Sequence, residues 1–319
     1  MAFASTFKNF TRNPTRFVLR KSVRFIRLLE SLLPPPVFSL IVWPAAAVWA
    51  ALEFGKDRKA LTAWSRFPPQ WRPRRFIYIF RQTIGFAHAR LTYLWPDRLT
   101  QPRWLERCRL EANYDLQKLL RADRPIIFVS LHFGSFRTLP YWLRAHGIPV
   151  TTLVGRPVSP QSAWIDRHSA PADVPVLMWV NEMREIRRSL TGDRRLLILV
   201  DVGRGKLVPV PFDNQTFWMA TGAVRMAASA GALLVPCLNV EIKGMWSFVI
   251  HFGAPVPDEY LQGTPNLQAA ASHIFHEMLP VLEKYPAQCR YRMLNCITSS
   301  ATEAPPQTAV LPYPEPEPT

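Results

Sequence analysis

The sequence predicts an α/β fold with a mostly parallel central sheet flanked by helices, preceded by an N-terminal membrane-associated helical segment. Two observations carry the sheet. From residue 124 onward, short continuous apolar runs such as 125–129 and 196–200 alternate with segments of helical period. A run apolar at every position marks a strand buried on both faces, as parallel strands are. One observation carries the membrane segment: a basic arm at residues 1–33 precedes the apolar stretch 37–52.

In the arm, Arg16, Arg20, Arg24 and Arg27 share one helical face, with Lys21 beside them, while Val18, Phe25, Ile26, Leu29 and Leu33 gather on another. That pattern suits a helix lying in a membrane interface; a surface helix packed on the domain is the ordinary alternative. Pro34, Pro35 and Pro36 break the pattern. The sixteen residues 37–52 reach roughly 24 Å as a helix, short of a ~30 Å hydrocarbon core, and Pro44 would kink them. A short tilted span, a re-entrant wedge and a buried helix all remain open. The positive charge ahead of the stretch favours a cytoplasmic N-terminus if it inserts.

The next helix is expected over 76–95, with Phe80, Ile84, Ala87, Leu91 and Leu94 on one side and Pro96 at its end. A second helix is expected over 103–120. Strands follow at 125–129, 149–154, 174–179 and 196–200, a short Pro-flanked piece at 208–212, and strands at 233–240 and 248–252. Helices are expected after His132 to about residue 145, over 182–190, over 219–230 with Gly231 as cap, and over 267–283. Residues 298–319, with prolines alternating near the end, read as an extended tail without chemistry. The domain boundaries expected are therefore 1–53, 54–297 and 298–319.

Composition narrows the function classes. The chain has 319 residues, 39 Lys+Arg against 23 Asp+Glu, a formal charge of +16, 48% hydrophobic and 19% charged residues. So much apolar content argues against a disordered polybasic chain. No run reaches the ~18 apolar residues of a clear membrane span. Only eight of the basic residues are Lys; the rest are Arg, whose planar fork suits phosphate and carboxylate. Nucleic acid is the competing polyanion, but no helix-turn-helix, zinc finger or RNP-type signature is present. The aromatic and Arg clusters sit beside an apolar wedge, as membrane belts do. Cys108, Cys237, Cys289 and Cys296 form no CxxC pair and read as buried free thiols. No secretory signal is evident.

Three segments carry candidate chemistry. His132, Phe133 and Gly134 lie just past a buried strand, where open α/β sheets bind ligands, and a neutral imidazole there can take a proton from a hydroxyl. A core or capping His is the ordinary alternative. Asp201 ends the strand at 196–200, as an orienting acid or a plain turn residue. Thr221 and Gly222 open a small-residue helix, where a ligand or simply another backbone can approach closely. His273, His276 and Glu277 have a spacing that could touch one metal, but an exposed helix face explains them better. The basic residues Arg184, Arg187, Arg188, Arg194 and Arg195 suit an acidic carrier protein, lipid phosphates or plain solvation.

The order of these pieces resembles one family. His132-Phe133-Gly134 after a strand, Arg156-Pro157, Asp201 with Gly205, Val210-Pro211-Phe212, Thr221-Gly222, Gly231-Ala232, Val235-Pro236 and the closing segment Glu283-Lys284-Tyr285-Pro286-Ala287-Gln288 are similar to the lipid A biosynthesis lauroyl/myristoyl acyltransferase family, within the lysophospholipid acyltransferase superfamily. The resemblance covers roughly residues 30–295. It implies transfer of a fatty acyl chain from acyl carrier protein or coenzyme A to a lipid or glycolipid acceptor, at the cytoplasmic face of an inner membrane with an anionic surface. It implies no cofactor and no metal. It implies His132 as general base, Asp201 and Arg156 in the site, and Phe133, Gly134, Thr221 and Gly222 around the substrate; Arg137 joins these substrate-binding candidates on its own chemistry, not by resemblance.

The sequence departs from the family at one position. The acid expected five residues after the His is Arg137, and a guanidinium cannot stabilise an imidazolium. Another acid such as Asp166, Asp173 or Asp201 reaches His132 from elsewhere, or Arg137 holds a phosphate while His132 acts unaided, or the site has become a catalytically degenerate one that only binds lipid or a partner enzyme.

Overall fold

Strand β2 (Ile126–Ser130) is buried at every residue, because both of its faces are covered. Ile127 and Val129 point into one cluster with Leu196, Ile198, Val224 and Ile274; Ile126 and Phe128 point into the other with Leu197, Val235, Trp142 and Phe248. This period-2 division of an all-apolar run is what a doubly covered sheet requires. The computed structural model describes residues 33, 37, 40, 44, 48, 58–94, 99–154, 176–178, 190, 195–201, 206–242 and 247–299.

The elements in order are α1 (Arg58–Ser65), α2 (Arg75–Leu94), α3 (Pro102–Leu105), β1 (Cys108–Ala112), α4 (Leu116–Leu120), β2, α5 (Leu139–Ala145), β3 (Thr151–Val154), β4 (Val176–Met178), β5 (Arg195–Leu199), β6 (Leu207–Phe212), β7 (Gln215–Ala220), α6 (Gly222–Ala230), β8 (Leu233–Ile242), β9 (Ser247–Phe252), α7 (Leu267–Lys284), α8 (Tyr291–Leu294) and β10 (Ile297–Thr298). The main sheet runs β1-β9-β8-β2-β5-β3-β4. Strands β8, β2, β5, β3 and β4 are mutually parallel; β9 is antiparallel to β8 and carries β1 parallel to itself. The fold is thus α/β with a mostly parallel central sheet flanked by helices. A second sheet, β10-β7-β6, is antiparallel.

Helices α1, α2, α6 and α7 with the small sheet cover one face of the main sheet, and α5 with Trp104 covers the other. Helix α7 starts at Asn266, whose side chain accepts from the Ala269 amide at 3.1 Å. Helix α6 ends on Gly231 at φ 61°, the left-handed cap its sequence promised. At the far, amino-terminal edge of the sheet, Arg124 makes a bidentate pair with Asp258 at 2.8 and 2.9 Å.

Three expectations need correction. The helix expected over 103–120 is α3, then strand β1, then α4; Cys108–Ala112 pairs with β9 along the sheet edge, and that pairing overrides its helical propensity. The helix expected from residue 219 starts at Gly222, because Gln215–Ala220 is strand β7 in a hairpin with β6. The turn between them is Asp213-Asn214, with Asp213 at φ 47°, a hairpin signal. Thr298, expected to open the tail, belongs to β10 instead, and its hydroxyl accepts from the Trp218 indole at 3.0 Å.

Of the N-terminal segment, Leu33 packs against the cluster around Trp142, and Val37, Leu40, Pro44 and Val48 are helical and exposed. The rest of the arm and wedge, most of the basic helix expected over 182–190, and the tail beyond Ser299 lie outside the described residues. No helix among the described residues is long and apolar enough to cross a membrane. All four cysteines are free and buried.

Candidate active site

The register of two neighbouring strands builds the site. Strands β2 and β5 run parallel with Ser130 opposite Leu199. Two residues beyond that pair, on the same carboxyl edge, stand His132 and Asp201. From β2 the chain goes on to β3, beyond β5, and from β5 the next strand of this sheet is β8, on the other side of β2, so the winding reverses between β2 and β5. Crevices open at such a switch point.

The chain turns sharply at His132. The Phe133 amide donates to the Leu131 carbonyl at 2.7 Å, closing a three-residue γ-turn centred on His132. Gly134 follows at φ 51°, and a Cβ there would lie 2.1 Å from the Asn239 carbonyl oxygen. Only glycine fits that conformation and that approach. A short 3-10 turn, Phe136–Thr138, leads into α5.

Asp201 is 2% exposed, and its carboxylate grips His132 twice. Its Oδ1 lies 2.8 Å from Nδ1 of the imidazole, and its Oδ2 accepts the His132 backbone amide at 2.7 Å. An ionised carboxylate offers only acceptors, so a neutral imidazole held this way has its proton on Nδ1 and its lone pair on Nε2. The His132 side chain is 10% exposed, enough for one ring edge to meet a ligand. The Phe136 ring packs on the imidazole at 4.5 Å between centroids, and the Arg137 guanidinium lies 5.6 Å over the Phe136 ring. Arg137 is exposed at the rim. Among the described residues no carboxylate forms an ion pair with it.

A polar layer behind the turn holds it in place. The Gly134 amide donates to the Gln288 carbonyl at 2.9 Å, and Ser135 to the Asn239 carbonyl at 3.3 Å. The Asn239 side chain donates to the Ser135 carbonyl at 3.1 Å and to the Thr138 hydroxyl at 2.9 Å. Gln288 bridges the Glu241 amide and carbonyl at 3.0 and 2.8 Å. The Cys296 thiol donates to the Asp201 carbonyl at 2.9 Å, and burial, with Asp201 nearby, pushes that thiol well above its ordinary range. It is a structural thiol and no nucleophile.

The remaining candidates divide. Phe133 is fully buried, and its backbone bridges to Cys289, so its ring packs the turn and offers no substrate surface. Thr221 is buried and its hydroxyl donates to the Lys206 carbonyl at 2.9 Å, a commitment to holding the chain. Gly222 opens α6 into free space. Arg156, Asp166 and Asp173 lie outside the described residues. His273 and Glu277 bond the Ala254 carbonyl and amide, and His276 bonds its own helix. No group of His, Cys, Asp or Glu among the described residues could hold a metal ion. A surface depression of about 930 Å³, lined by Tyr114, Lys118, Arg121 and Leu233 among others, lies at the opposite edge of the sheet.

No family model matches the chain, and no curated protein does. Among solved structures, the chain is similar to the crystal structure of the 1-acyl-sn-glycerophosphate (LPA) acyltransferase PlsC from Thermotoga maritima. The identity is 11%, the TM-score 0.39, and the match covers 79% of this chain and 99% of that one.

Sequence reasoning missed Arg290, Gln82 and Asn239. Each is buried; Arg290 and Gln82 bond mainly to backbone carbonyls, and Asn239 to the Ser135 carbonyl and the Thr138 hydroxyl. Nothing in local spacing marks such a residue, although Gln288 stands in a segment already noted.

Proposed function

We propose that this protein is a membrane-associated acyltransferase, moving a fatty acyl chain from a thioester of acyl carrier protein or coenzyme A to a hydroxyl of a lipid or glycolipid acceptor. The observation that carries the reading is the buried Asp201 carboxylate 2.8 Å from Nδ1 of His132 at the carboxyl edge of the sheet. It supplies, from another strand, the acid that position 137 lacks. The order of sequence motifs set out above, which resembles the lipid A acyltransferases, supports the same chemistry.

Nε2 of His132 takes the proton of the acceptor hydroxyl as its oxygen attacks the thioester carbon. Asp201 holds the ring and stabilises the imidazolium that forms. The tetrahedral oxyanion collapses, the C–S bond breaks, and the imidazolium returns its proton to the leaving thiolate. Arg137, at the rim, is placed to hold a phosphate of the acceptor or the carrier.

The membrane part of the reading rests on charge and exposure. Residues 58–96 contain eight Lys and Arg and no Asp or Glu. Phe76 and Ile77, 50% and 44% exposed, stand beside Arg74 and Arg75 at the start of α2. Val37, Leu40 and Val48 add exposed apolar side chains ahead of it. Apolar side chains set among arginines suit an anionic lipid surface.

The test uses the full chain with labelled long-chain acyl-CoA or acyl carrier protein and a panel of lysophospholipids and glycolipids in mixed micelles. Transfer that disappears in His132→Ala is expected. Absence of transfer to every acceptor, or undiminished transfer by His132→Ala, overturns the reading. Sedimentation with phosphatidylglycerol vesicles against duplex DNA at physiological salt tests the surface; DNA binding without vesicle binding defeats it.

A further inference from the structure

We infer that Arg290 is the positioning residue of the His132–Asp201 pair: it clamps the turn that carries His132 onto helix α2. The inference rests on the acyl-transfer reading of that pair and names what keeps it aligned.

The guanidinium of Arg290 is buried, 6% exposed, and its fork is shared between two elements. Nε and Nη2 donate to the Gly134 carbonyl at 3.0 and 2.6 Å. Nη1 donates to the Gln82 carbonyl at 2.9 Å and to its side-chain oxygen at 3.1 Å. The Arg290 amide donates to the His132 carbonyl at 2.9 Å. One residue therefore bonds the carbonyls of both His132 and Gly134, on either side of Phe133, and ties them to α2. Helix α2 makes room for it: a Cβ at Gly85 would lie 1.6 Å from Nη2.

The chemistry of the site demands an arginine. The carbonyls of Gly134 and Gln82 need donors at fixed angles, and a planar fork supplies them together. A lysine offers one point of charge, and an apolar residue would orphan the Gly134 carbonyl and strip the Gln82 carbonyl, already bonded within its helix, of its second donor. Burial holds the group down at about 10, so it still carries its charge at neutral pH. Burying a charge is costly unless its bonds are satisfied, and here the bonds converge on the turn beside the base. The same segment reaches the other partner too, since Cys296 donates to the Asp201 carbonyl. Residues 288–296 thus touch both halves of the pair.

Gly85→Ala, Arg290→Met, Arg290→Lys and the Gly85→Ala/Arg290→Met double variant test the clamp, with folding checked by circular dichroism. The readouts are kcat, KM for the acyl donor, and the hydrogen-bonded Nδ1–H proton resonance of His132, assigned by its loss in His132→Gln. Gly85→Ala and Arg290→Met are each expected to lower kcat about 10- to 100-fold, with KM within about twofold, and to remove the resonance. Arg290→Lys is expected to fall between them and the wild type. Gly85→Ala is expected to cost nothing further once Arg290 is Met, because its clash partner is gone. Alanine is the better helix former, so any loss in Gly85→Ala comes from the displaced guanidinium. An unchanged kcat and resonance in Gly85→Ala overturn the inference, as does an equal effect of Gly85→Ala with and without Arg290. If Arg290→Met does not fold, Gly85→Ala decides alone. A wild type without acyl transfer refutes the function, while the resonance still decides the clamp.

Discussion

Asp201→Asn is the perturbation with the most to say about the site. The carboxylate accepts two hydrogen bonds from His132, at 2.7 Å from the backbone amide and 2.8 Å at Nδ1, and is 2% exposed. An amide of the same shape has one oxygen and one NH2, so it satisfies one donor and confronts the other. With its NH2 toward the backbone amide, two donors meet and both are orphaned. With its NH2 toward Nδ1, the imidazole must shift its proton to Nε2, the nitrogen that should be the base. Two bonds to a charged acceptor at roughly 1.5–3 kcal/mol each become, in the first orientation, one neutral bond near 1 kcal/mol with orphaned donors, and in the second two neutral bonds near 1 kcal/mol each with the wrong tautomer. We expect a loss of about 2–4 kcal/mol in urea unfolding, at the scale of breaking a buried polar pair. Loss of the base tautomer should lower kcat by about 100- to 10,000-fold with little change in KM. Transfer of a labelled acyl chain under saturating acceptor measures it. A folded Asp201→Asn protein whose kcat is within about threefold of wild type would refute the assignment of Asp201 and the tautomer argument with it.

Gly134→Ala forces a side chain into a positive-φ position, 2.1 Å from the Asn239 carbonyl. It should cost at least about 2–4 kcal/mol in urea unfolding and abolish transfer. Arg137→Ala should raise KM about tenfold or more for a phosphate-bearing substrate while leaving an uncharged short thioester unaffected; a gain in activity would instead mark Arg137 as decay of the site. His146 and His251 are both held below the ordinary imidazole range, by burial first. In the unfolded chain they bind protons below about pH 6.5, and in the folded chain only at lower pH. The unfolded state therefore gains protons first, and the stability present above pH 6.5 is lost as pH falls. The melting temperature should drop between pH 7.5 and 5.5, and His146→Gln should flatten that slope.

The legible parts of the chain were those whose burial writes a pattern. Strands β2 and β5 stand out because both faces are covered, which leaves no polar position to blur the run. His132 and Asp201 were each visible as the residue past such a strand. Their adjacency was not, because it depends on β5 pairing with β2 in one register, and nothing local to either strand states that. Strand β1 reads as helix in the sequence because Arg109 and Glu111 sit on an edge strand, where charge is tolerated and period 2 is weak. Strand β7 does not stand out in the sequence because its apolar run continues toward α6, and its one local mark is the Asp213-Asn214 turn. Arg290 was invisible for a different reason. Its partners are carbonyls of residues 134 and 82, and main-chain acceptors leave no trace in residue identity.

The hydrogen-bonding layer behind His132 also orders events during synthesis. The turn at residues 132–134 leaves the ribosome well before residues 288–296, which bond its amide and carbonyls and the carbonyl of Asp201. Contacts this distant in the chain form late. A nascent chain would therefore carry an unaligned imidazole, and His132 and Asp201 would come into register only as residues 288–296 dock. Truncated translation products that stop before this segment would contain both His132 and Asp201 without the bonds that align them.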